Sequence, residues 1–164
     1  PELRLRQRIT LAADRPEAVF HYSAERKDGE APRLEAEISA TFRGIDLLMA
    51  PDDGGEPGGW RAIPVPAATE GDAPLWQERL SWIALRAGET WILLATPPGQ
   101  PPAVSCSASV PAHGALRIHA RLAFAPGTQD PAVLRLRCYG DAGAKPAAAW
   151  AGIFREAWST DERR

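Results

Sequence analysis

The chain has only two cysteines, three histidines and two lysines in 164 residues, and each scarcity removes a class of explanation. His21, His113 and His119 stand apart with no HxH or HExxH pair, so a zinc centre would have to be assembled from distant segments. Two cysteines make no disulfide framework. Cys106 and Cys138 are either two small buried hydrophobes or one bridge between neighbouring strands. No apolar run reaches the roughly 18 residues that a membrane-spanning helix needs, so no membrane span is expected. GxSxG is absent, and Ser105, Ser107 and Ser109 alternate in a regular run instead of sitting on a sharp turn. The spacing of a calcium loop is missing around Asp46, Asp52 and Asp53. No metal and no cofactor is therefore expected, and the chain reads as non-catalytic. What remains for catalysis is a site built from His21, His119 and Asp46 across separate strands.

What is abundant is arginine. Lys27 and Lys145 are the only lysines among nineteen cations, against twenty-one acids, for a formal net charge of −2. Arginine is the side chain that grips planar carboxylates, phosphates and sulfates in pairs, although a codon bias that also favours Ala, Gly and Pro explains the same excess. The slightly acidic balance argues against nucleic acid. So do the aromatics, which fall on apolar phases and are not interleaved with the cations. The chain opens at Pro1 with neither an initiating Met nor a basic-then-apolar leader, which reads as a processed or internal N-terminus.

Alternation with a period of two dominates the rest, and it is the mark of strands with one buried face. The stretch from Gly114 to Gly140 shows it best: Leu116, Ile118, Ala120, Leu122 and Phe124 on one phase, then Leu134, Leu136 and Cys138, with APGTQDP between. This reads as a β-hairpin whose other face carries Arg117, His119, Arg121, Arg135 and Arg137 towards solvent. Leu3, Leu5, Ile9 and Leu11 repeat the pattern against Arg4, Arg6, Arg8 and Thr10, with Gln7 the one polar residue on the inner phase. Phe20, Tyr22 and Ala24 suggest a second strand. Leu34, Ala36, Ile38, Ala40 and Phe42 make a third, with Glu35 and Glu37 outward to pair with arginines. WRAIPVP, with two prolines, suits an edge strand. SWIAL and TWILLA flank a short RAGE turn and are apolar on both phases, so that hairpin needs a cover on each side.

Past Gly140 the alternation stops. Pro146 opens an alanine-rich stretch in which Trp150, Ile153, Phe154, Ala157 and Trp158 form one helical stripe. The expected fold is thus all-β, an antiparallel β-sandwich of jelly-roll type over residues 1–145 followed by a C-terminal amphipathic helix and tail over 146–164. A closed β-barrel is the alternative.

Two functions follow from these residues. The first is a non-catalytic module binding a cell-envelope or other surface glycan, with Trp60, Trp76 and Tyr139 as stacking platforms. Arg117, His119, Arg121, Arg135 and Arg137 would then take acidic substituents. The second is a structural or assembly subunit of a larger particle, such as a phage-like spike or tail component. It would dock onto a protein partner or another copy of itself through sheet edges and the helix stripe of Trp150, Phe154 and Trp158. Either role fits an exported, cell-surface or virion location better than a cytoplasmic one.

Overall fold

The computed structural model describes residues 3–26, 34–52, 59–65, 74–79, 81–97, 104–109, 115–124 and 132–157. The strands are β1 (Leu3–Leu11), β2 (Glu17–Arg26), β3 (Leu34–Arg43), β4 (Ile45–Pro51), β5 (Trp60–Pro64), β6 (Pro74–Arg79), β7 (Trp82–Ala87), β8 (Thr90–Ala95), β9 (Val104–Ser109), β10 (Ala115–Phe124) and β11 (Ala132–Tyr139). One helix follows, α1 (Ala147–Glu156). Sheet A has seven strands in the order β1-β2-β11-β8-β7-β4-β5, and sheet B has four in the order β3-β10-β9-β6. Every pairing is antiparallel. The protein is an antiparallel β-sandwich with one short C-terminal helix, and its two sheets do not close into a barrel.

The expected hairpin between residues 114 and 140 is corrected. β10 pairs with β3 and β9 in sheet B, whereas β11 pairs with β2 and β8 in sheet A. Alternation records that each strand lines the core; it does not record which strand lies beside it. The same division separates the cysteines. Cys106 is on β9 and Cys138 on β11, in different sheets, and Cys138 is a free thiol whose pKa burial pushes up.

Two apolar layers result. Between the sheets lie Leu48, Ile83, Leu85 and Leu94 of sheet A and Leu116, Ile118, Ala120 and Leu122 of sheet B. On the far side of sheet A, Met49, Trp82, Ala84, Trp91 and Leu93 meet Trp150, Ala151 and Phe154 of α1. The doubly apolar strands β7 and β8 therefore have the two covers their sequence requires, sheet B on one side and α1 on the other. Gly88, at φ +56°, permits the two-residue turn between them. Pro146 precedes the first helical turn, and the Trp150 indole N–H donates to the Ala142 carbonyl at 3.0 Å, which fixes where the helix lands.

β3 passes into β4 through Gly44 alone, at φ +69°, so one nearly continuous run of chain changes sheets at a single left-handed residue. Just beyond it the register between β4 and β7 slips, and Asp46 is turned out to Arg86. Arg86 donates Nε to Oδ1 at 3.0 Å and Nη2 to Oδ2 at 2.6 Å. That hydrogen bonding, aided by the guanidinium charge, holds the Asp46 carboxyl below the usual aspartate value.

Candidate functional site

The unequal sizes of the sheets decide which residues are left for function. Sheet A ends in β1, which is paired to β2 from Leu3 opposite Arg26 to Leu11 opposite Ala18 and, among the described residues, to nothing else. Ile9 stands across from Phe20 and Gln7 across from Tyr22. Phe20 and Tyr22 pack against the inter-sheet core, so the leucine phase of β1 faces the same way. Among the described residues no strand of sheet B covers it. Leu3 is 39% exposed, Leu5 65%, Ile9 54% and Leu11 73%, an apolar row about as long as the strand. The one polar member is satisfied locally, the Gln7 amide donating to the Tyr22 hydroxyl at 3.0 Å. The sequence expectation that this row lies in the core is corrected: its alternation is that of a buried face, but the described strands of the second sheet leave it exposed.

The opposite face of β1 carries Arg4, Arg6 and Arg8. Arg6 pairs with Glu25 of β2 at 3.3 Å, both side chains well exposed. Burial and the charge of Arg8 push His21 below the usual histidine value, favouring the neutral ring. Natural edge strands are commonly blunted by charges turned inward or by proline. β1 has its charges on one face only and no proline, so its inner face and its backbone edge are both suited to pairing.

The outer face of sheet B is the second polar surface. Arg117, His119 and Arg121 line β10, and by register they stand between Thr41, Ser39 and Glu37 of β3 and the positions of Ser109, Ser107 and Ser105 on β9. Glu37 lies 3.3 Å from His119 Nδ1 and 3.6 Å from Arg121 Nε. These are exposed pairs of the kind that contribute about 0–1 kcal/mol. Ser39, His119 and Glu37 share one sheet face in regular strands, with no strained turn among the described residues there to raise a nucleophile.

Arg135 and Arg137 do not join that surface. They lie on the α1 side of sheet A, and Arg135 is buried, which corrects the expectation of solvent-facing guanidinium groups there. Its Nη1 donates to the Ala157 carbonyl at the C-terminal end of α1, at 2.6 Å, where a cation also complements the helix dipole. Buried Glu17 sits among three arginines, 3.2 Å from Arg15, 3.6 Å from Arg135 and 3.7 Å from Arg137. No spacing in the sequence links Glu17 to these arginines, so the cluster emerges only from the fold.

The aromatic residues are also placed differently from the expectation. Tyr139 packs edge-on against Trp150 and beneath the Arg137 guanidinium, and half-buried Trp60 packs against the layer under α1, so each is partly engaged within its own chain. Trp150 and Phe154 are buried against their own sheet instead of presenting a partner surface, because Trp82 and Trp91 supply the apolar host they need. The side chain of Trp76, and Trp158, lie outside the described residues. His21 and His119 fall on opposite outer faces of sheets that pack about 10 Å apart, and Asp46 is held by Arg86, so the three do not meet. Among the described residues no three His, Cys, Asp or Glu side chains gather to hold a metal ion, and no helix is long and apolar enough to cross a membrane.

No protein-family model matches the chain, and no curated protein is similar to it in sequence.

Proposed function

We propose that this protein is a structural or assembly subunit that works by docking, and that its docking element is the β1–β2 ribbon. The observation carrying this is the row Leu3, Leu5, Ile9 and Leu11, exposed along a nine-residue edge strand. Fully burying side chains of this size contributes about 1.5–3 kcal/mol each, so leaving them in water is a standing cost that a partner relieves. The helix, which sequence alone offers as a second docking element, is already engaged with sheet A.

The test is association in solution. Sedimentation velocity over a rising concentration series is expected to show the wild type moving to higher mass, and Leu5→Lys/Ile9→Lys remaining monomeric with an unchanged circular dichroism spectrum. Both side chains are already in water, so the substitutions spare the core. A wild type that stays monomeric at every concentration overturns the reading.

A second reading, a module for an acidic surface glycan, is favoured by the line of Arg117, His119 and Arg121 on the open face of sheet B. Titration with sulfated and neutral polysaccharides is expected to give saturable binding of the sulfated chains alone, lost in Arg117→Ala/Arg121→Ala. Equal indifference to both kinds of polymer dismisses it.

A further inference from the structure

Sheet A ends in β1 and sheet B ends in β3, and the two strands carry complementary patterns. β1 alternates leucine or isoleucine with Arg4, Arg6 and Arg8; β3 alternates Leu34, Ala36, Ile38, Ala40 and Phe42, half-buried, with exposed Glu35 and Glu37. Among the described residues β3 is paired with β10 alone. We propose that β1 of one copy adds as an antiparallel strand to the outer edge of β3 of a second copy. The proposal rests on the docking role given above and names the occupant.

The register follows from the residues. With Arg6 opposite Glu37 and Arg8 opposite Glu35, Leu5 falls opposite Ile38 and Ile9 opposite Leu34, so cations meet acids on one face and apolar side chains meet on the other. Glu37 already engages His119 and Arg121 within its own chain, and Arg6 engages Glu25, so the Arg8–Glu35 match is the one that depends most on the second copy. The other edges fit less well. Pairing β1 with β1 about Gln7 sets Arg6 against Arg8, and like charges directly opposite are destabilising. β5 ends at Pro64 and β6 opens at Pro74 with an irregular register against β9, and proline withholds a ladder donor.

Each copy offers one β1 and one β3, so the contact leaves a β1 and a β3 still open after the first pairing and closes only in a ring of two or more copies or continues as a filament. A charge swap tests it. Arg8→Glu alone sets two carboxylates against each other at the junction, and Glu35→Arg alone sets two guanidinium groups there, so each purified variant is expected to self-associate roughly tenfold more weakly than the wild type. An equimolar mixture of the two variants restores opposite charge wherever unlike copies meet, and the mass distribution is expected to shift back towards the wild-type one. Both residues are exposed and away from the cores, and circular dichroism verifies that each variant is folded. Wild-type association that ignores both substitutions overturns the β1–β3 pairing and leaves the docking role standing. A wild type that is monomeric throughout removes both.

Discussion

Phe154→Ala is expected to cost about 3–5 kcal/mol of folding stability, the range for deleting a large aromatic from a packed interior. Phe154 is buried, and its ring meets Trp82, Trp91, Tyr139 and Trp150 with centroids 5.4 to 5.9 Å apart. It is the residue through which α1 grips sheet A, so its loss empties the centre of the outer apolar layer and bares Trp82 and Trp91 at once. Urea unfolding followed by tryptophan fluorescence measures the effect as a lower midpoint. A cost below about 1 kcal/mol would mean that the helix does not depend on this seat, contrary to its burial.

Glu17→Ala has a comparable expected effect for a different reason. Arg135 is buried beside α1 with Glu17 3.6 Å away, and removing one member of a buried ion pair commonly costs about 3–5 kcal/mol because the remaining buried charge loses that compensation. The double variant Glu17→Leu/Arg135→Met, which replaces both charges with apolar groups, is expected to be more stable than Glu17→Ala alone. Arg15 and Arg137 reach water more readily and tolerate the loss. Thermal or urea unfolding of the single and double variants decides it: if the double variant is the less stable, the penalty lies in lost packing and not in an unpaired charge.

Most of the strands were legible because alternation is written residue by residue, and the double apolarity of SWIAL and TWILLA correctly demanded two covers, whereas β6 was not singled out. Pairing was not legible. β10 and β11 share the pattern of a hairpin and are joined by turn residues, yet each lines the core from its own sheet. The same limit hid the candidate site. Leu5 and Ile9 carry the signature of a core strand, and only the count of strands in the facing sheet, a property of the whole chain, leaves them uncovered; Gln7 was the single local clue. Arg135 occupies a polar phase and so reads as solvent-facing until α1 is laid across it. The Trp150 and Phe154 stripe announced that a host was needed without saying which face would serve.

Gly44 gives the molecule a mechanical property. From β1 the hydrogen-bonded ladder runs through β2, β11, β8 and β7 to β4, and from β4 the covalent chain turns through this one residue into β3. Tension entering at one rim of the molecule can therefore leave at the other along backbone and ladder alone, without crossing the apolar layer between the sheets.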